Sequence, residues 1–186
     1  IPDVLSELIR TAFIAPEGKM FAVADFSAIE ARVLSWLAQE KWRLDVFNTH
    51  GKIYEASASL MFGVPIEQVT KGSDLRQRGK TAELALGYEG SVNAMEKMDK
   101  EKKLSKKEMY SIVALWRRAN PKIVEFWAEV NEKAIECVQT RKTKKVSCLV
   151  FEHDGTNLTI ALPAGRKLYY RNPRVRPNRF GQTGIV

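Results

Sequence analysis

The spacing of apolar residues changes once along this chain, at Val146, and no other feature constrains the fold as strongly. Before that point, apart from one continuous run at Met20 to Ala24, apolar side chains recur every three to four residues; after it they alternate every two. Separated periodicities imply an α+β chain, predominantly helical, with a small antiparallel β-meander at its end. Helical spacing is predicted over Asp3 to Arg10 (Val4, Leu5, Leu8 and Ile9 on one face), Trp42 to Asn48, and Lys52 to Phe62, where Gly63 and Pro65 stop it. Ser105-x-x-Glu108 opens a capped helix with Met109, Ile112, Val113 and Trp116 inward. Asn120-Pro121 ends it and begins another, carrying Ile123, Val124, Trp127, Val130, Ala134 and Val138. Trp116 and Trp127 read as core residues. Val146–Glu152, Asn157–Leu162 and Arg166–Arg171 are predicted strands, with Asp154-Gly155 and Pro163-Ala164-Gly165 as turns. The tail from Asn172, with Arg174, Arg176 and Arg179 among prolines and glycines, is predicted to be extended.

Two stretches carry chemistry. In the first, Met20 to Ala24 is a continuous apolar run that fits a strand buried on both faces. Asp25 follows at its carboxyl end, then a capping box Ser27-x-x-Glu30, then Ile29, Val33, Trp36 and Leu37 at helical spacing. Asp25 there either satisfies loop N–H groups or anchors a hard cation such as magnesium. In the second stretch Arg76, Lys80, Leu84 and Tyr88 stand four apart, a helical stripe drifting roughly 40° per step. Arg76 and Lys80 repel at that spacing by a few tenths of a kcal/mol. Phosphates would relieve the repulsion; a solvated basic face is the plain alternative. Gly79 inside the helix costs about 1 kcal/mol relative to Ala and hints at a close approach. The lysine-rich run Lys97 to Lys107 reads as solvated surface.

The balance of 30 basic against 22 acidic residues gives a net charge of +8, which favours an acidic partner, nucleic acid first. Cys137 and Cys148 have no metal-ligand spacing and are too few for a disulfide framework, so a reducing compartment is expected. No segment approaches the ~20 apolar residues of a membrane span. The chain begins at Ile1 without a signal-peptide pattern, which leads us to expect a piece of a longer protein.

Taken together and in this order, the two stretches resemble the polymerase motifs of family A DNA polymerases, the bacterial polymerase I-like family. Asp25-Phe-Ser-Ala-Ile-Glu-Ala-Arg32 resembles the first palm motif, and Arg76-x3-Lys80-x7-Tyr88 the fingers-helix motif. Trp116 to Trp127 and Leu162-Pro-Ala-Gly-Arg166 look more like the phage and prophage branch. The resemblance implies a partial palm over residues 1–41, helical fingers over 42–145, and a palm-associated meander with a basic tail over 146–186. It implies template-directed DNA synthesis, with primer-template DNA and deoxynucleoside triphosphates as partners and two Mg2+ ions as cofactors, in the cytoplasm of a bacterial host cell. Asp25 and the Phe26 carbonyl would ligate metal. Glu30 would exclude a ribose 2′-hydroxyl with help from Tyr88. Arg76 and Lys80 would grip the triphosphate, and Leu84 would lie beneath the base or sugar. Leu84 replaces the family's usual aromatic residue, and Tyr54 stands where many members place a phosphate-contacting His. The second catalytic carboxylate, from a later His-Asp-Glu hairpin, is not found; His153-Asp154-Gly155 reads as a turn. The segment by itself is therefore expected to be inactive. Two other readings stand beside this one: a non-enzymatic nucleic-acid-binding domain and a single-subunit RNA polymerase relative.

Overall fold

A single 20-residue helix, about 30 Å long, joins the two blocks of the chain. The computed structural model describes residues 5, 8–99, 104–177 and 181–186. We number its helices α1 (Ile29–Ala38), α2 (Lys41–Thr49), α3 (Ile53–Phe62), α4 (Asp74–Leu86), α5 (Val92–Met98), α6 (Lys106–Ala119) and α7 (Pro121–Thr140). Short 3-10 turns lie at Ile9–Ala12 and Ile66–Gln68. The strands are β1 (Lys144–Val146), β2 (Leu149–His153), β3 (Asn157–Ala161), β4 (Lys167–Arg171), β5 (Val175–Pro177) and β6 (Thr183–Ile185). The first four form one antiparallel sheet in the order β1-β2-β3-β4, and β5 pairs with β6 as a separate ribbon.

Two cores follow from this arrangement. Met61, Ala82, Leu86, Met95, Ile112 and Trp116 are among the buried residues of the helical one. Ile123 brings the first turn of α7 into it. Further along the same helix, Ala134 and Cys137 meet Val146, Leu149, Phe151 and Leu158, the inner face of the sheet. Trp116 is fully buried and stacks on half-buried Trp127 at 5.8 Å between ring centroids, as their core reading requires.

Local signals explain most boundaries. Ser73 Oγ accepts the Arg76 N–H to start α4, and the capping box Ser105/Glu108 forms at the head of α6 as predicted. Gly63 ends α3 in the left-handed conformation. Gly79 meets α3: a Cβ there would lie 2.3 Å from the Tyr54 carbonyl oxygen, so the two helices touch backbone to backbone. The close approach hinted at by Gly79 is therefore to α3.

Several expectations are corrected. Met20 to Ala24 is not a strand. The run is extended coil without sheet partners, and Met20 and Val23 are 89% and 91% exposed. An apolar run becomes a strand only when neighbours satisfy its N–H and C=O groups, and both sheets among the described residues lie beyond residue 143. Nor does the Ser27/Glu30 capping box form. Helix α1 starts one residue later, with Ala28 as its N-cap in the left-handed region and no side-chain cap. Its buried face carries Ser35 and Ala38, while Ile29, Val33 and Trp36 are exposed. The predicted first strand splits at Ser147-Cys148, a two-residue hairpin loop with Ser147 at φ 52°, giving β1 and β2. Within the basic tail, β5 and β6 pair as an antiparallel ribbon. Leu60, an apolar residue at helical spacing in α3, is exposed. Half of the helix expected over Asp3–Arg10 and the centre of the Lys97–Lys107 run lie outside the described residues.

Candidate nucleotide site

Helices α1 and α4 approach each other across a largely apolar cavity of about 510 Å3. From α1 it is lined by Ile29, Glu30, Val33 and Leu37, and from the other side by Tyr54, Leu84, Gly87 and Tyr88. Glu30, Leu84 and Tyr88, singled out from sequence, thus share one cavity. Tyr88 arrives there differently from expectation. Helix α4 ends at Leu86, with Gly87 as its C-cap, so Tyr88 sits in the following turn and is 72% exposed.

The basic pair lies along α4 outside the cavity lining. Arg76 is held by Glu55 of α3, Nε to Oε1 at 2.6 Å, and its guanidinium stands 5.7 Å from the Tyr54 ring centre. Burial pushes the Glu55 carboxyl up, but the hydrogen bond from Arg76, one from its own backbone N–H and the charges of Arg76 and Lys52 together outweigh it and hold the group below the usual carboxylate range. Glu55 therefore relieves the Arg76–Lys80 repulsion that we expected a phosphate to relieve. Lys80 makes no ion pair with another described residue. Tyr54 bridges the two parts of the site, lining the cavity and facing Arg76. Burial, then the charge of Glu83, raise its phenol above the ordinary value, so it stays a neutral hydrogen-bonding group at pH 7.

Asp25 and Phe26 are exposed in the coil before α1 and do not line the cavity. Their oxygens are of the hard type magnesium takes, but no group of three metal-ligating side chains forms among the described residues. One carboxylate and one carbonyl are too few to build a magnesium site, so no chemical step is derived through a metal here. Asp154-Gly155 lies in the turn that follows β2, as expected, with His153 as the last residue of the strand. Asp154 accepts from Thr156 N, Asn157 N and Asn157 Nδ2, and its carboxyl is lowered to about 2 by those bonds, that from the Asn157 side chain foremost.

Sequence reasoning missed the buried network behind the cavity. Arg43 is 1% exposed, and its guanidinium donates to both carboxylate oxygens of Glu83, to Asn120 Oδ1 at 2.9 Å and to Ser35 Oγ at 2.8 Å. Trp116 Nε1 donates to Glu83 Oε1 at 2.8 Å. Residues of α1, α2, α4, α6 and the α6–α7 junction thus meet on one ion pair. Glu83 is the residue before Leu84, so the pair fixes the rotation of α4 at the cavity. A signal was present: Glu83 stands in the run Ala82-Glu83-Leu84-Ala85-Leu86, and a carboxylate there needs a buried cation. Buried Glu40 acts likewise, accepting the Lys122 N–H at 2.8 Å to cap α7.

Known proteins match the same stretches. Residues 1–157 match DNA polymerase family A. The chain belongs to that family. Across its whole length it is 53% identical to the DNA polymerase of Bacillus phage SP02, of which it spans 29%. It is 33% identical to the thermostable DNA polymerase I of Thermus aquaticus over 64% of this chain and 14% of that protein. DNA polymerase I of Pseudomonas aeruginosa is 39% identical over 43% of this chain and 8% of its own length. The family A segment thus covers less than a third of these relatives. Among its described residues no helix is long and apolar enough to cross a membrane.

Proposed function

We propose that this segment provides the nucleotide-holding part of a template-directed DNA polymerase, which adds deoxynucleotides to a primer 3′-hydroxyl in the cytoplasm of a bacterial host. The observation that carries the reading is the convergence of Glu30, Leu84 and Tyr88 on one cavity beside Arg76 and Lys80. In this reading residues 1–41 belong to the palm, 42–145 are the fingers and 146–186 are a meander beside the palm. The apolar walls Ile29, Val33 and Leu84 take the base and sugar. Glu30 crowds the sugar C2′ position, with Tyr88 alongside. Lys80 meets the triphosphate as a free point charge, and Arg76 does so by exchanging Glu55 for phosphate. Family A polymerases use divalent metal in general; the contribution of this chain is Asp25 and the Phe26 carbonyl, and magnesium binding requires further ligands. With one carboxylate of the pair, the segment alone does not sustain primer extension.

The test compares dATP and ATP, which differ only at the 2′-hydroxyl, by calorimetry on the chain and on Glu30→Ala. Wild type should bind dATP the more tightly, and the substitution should narrow the ratio about tenfold, the equivalent of ~1.4 kcal/mol. An unchanged ratio removes the steric role of Glu30.

A further inference from the structure

The charge of this chain is divided unevenly. Residues 1–140 hold 20 basic and 20 acidic residues; residues 141–186 hold 10 basic and 2 acidic ones, the entire excess of +8. The two acidic groups are already engaged. Glu152 accepts from Lys167 Nζ at 2.8 Å, and Asp154 is held by its own turn. Lys144 pairs with Glu136 of α7. By contrast Arg141, Lys145, Arg166, Arg171, Arg174 and Arg176 are all exposed, and none forms an ion pair among the described residues. Like charges left together in this way oppose folding rather than help it.

The sheet distributes these groups by face. Phe151, Ile160 and Leu168 are cross-strand partners on the side packed against α7. The opposite side carries the rows Lys145–Val150–Ala161–Lys167, Glu152–Thr159–Tyr169 and Asn157–Arg171. Among the described residues the helix that packs against the sheet is α7, on the other side; Thr159, in the middle row of this side, is itself buried. Edge strand β4 therefore presents Lys167, Tyr169 and Arg171 along one open face, with Tyr169 65% exposed. The apolar side chains of β4 point the other way, so the cationic face lacks the apolar insertion a lipid surface requires.

We propose that the open face of β1–β4, continued by the basic residues around β5, binds the backbone of a single-stranded nucleic acid, with Tyr169 stacking on a base. Cations flanking an exposed aromatic ring on a sheet are the chemistry that holds such a strand without reading its sequence. The lysine-rich run of the helical block is a poorer candidate, because Glu96, Asp99, Glu101 and Glu108 are interleaved with its lysines and Lys106 pairs with Glu96. β4 and the ribbon also lie beyond residue 157, where the match to the family ends, although the phage relative aligns through them. This surface is separate from the nucleotide cavity and does not rest on it.

The test measures binding of a fluorescein-labelled 15-mer of thymidylate to the chain by anisotropy across a salt series, with no nucleotide or metal present. Neutralising Lys145, Arg171 and Arg174 together as Gln should lower affinity at least tenfold. It should also flatten the log K against log salt slope by about 2, at about 0.7 per lost phosphate contact. Tyr169→Ala should weaken binding roughly fivefold or more with the slope unchanged. Arg117→Gln with Arg118→Gln on α6 is the control and should do neither. The proposal is overturned if the triple variant binds as wild type or the control matches it. It is also overturned if poly-glutamate of equal charge competes as well as unlabelled oligonucleotide, which would assign the face to an acidic protein. A Glu30→Ala chain blind to sugar chemistry yet binding the oligonucleotide normally would separate this surface from the nucleotide reading.

Discussion

The helical block and the sheet carry charge to opposite ends. In the helices charge is balanced, and its central ion pair, Arg43–Glu83, is buried with Ser35, Asn120 and Trp116 completing its hydrogen bonds. On the sheet the cations are exposed and mostly without carboxylates. A buried pair adds little net stability over an apolar replacement, but it fixes one arrangement of the helices around it. Unpaired surface cations fix nothing in the fold and are free to meet a partner. In this molecule buried charge positions α4, and surface charge remains available for binding.

That contrast breaks most readily at Glu83. Glu83→Ala leaves Arg43 buried without its counter-charge and should cost about 3–5 kcal/mol in chemical denaturation. The comparable truncation on the sheet, Arg171→Ala, should change stability by less than about 0.5 kcal/mol. Equal effects would erase the distinction. The smallest effect concerns Asp154, the one acid of the sheet fixed by its own turn. Its pKa is lowered to about 2 from 3.8, so its stabilising contribution is complete above about pH 4 and is lost as the pH falls through 2. Carboxyl carbon shifts should show this group titrating near 2, and Asp154→Asn should remove the corresponding acid dependence of sheet unfolding. Titration near 4 would show that the turn does not hold it.

Much of the fold was legible because the periodicity is local. Helices α2, α3, α4 and α6, the α6 cap, the Pro121 start of α7 and the turns at Gly155 and Gly165 all follow from nearby residues, whereas α5 over Val92–Met98 was not expected. What failed depends on distant partners. Met20 to Ala24 is apolar enough for a buried strand, yet a strand needs neighbours to pair with. The stripe Ile29, Val33 and Trp36 has correct helical spacing, but the burial of α1 is decided by Ser35 and Ala38, which pack near Arg43 and the helical core. At the site, the resemblance to family A motifs, not spacing alone, brought Glu30, Leu84 and Tyr88 to attention as nucleotide contacts, and they share a cavity. Spacing could not reveal that Arg76 is already paired with Glu55, 21 residues away, or that Arg43 and Glu83 meet across 40.

The central claim is that the cavity between α1 and α4, rather than the basic sheet, receives the nucleotide. Titrating dATP into isotopically labelled chain and following backbone and methyl resonances tests it directly. The account predicts that Glu30, Lys80, Leu84 and Tyr88 shift together and saturably while Tyr169 and Arg171 stay still. Shifts confined to the sheet, with the cavity residues unmoved, would contradict it.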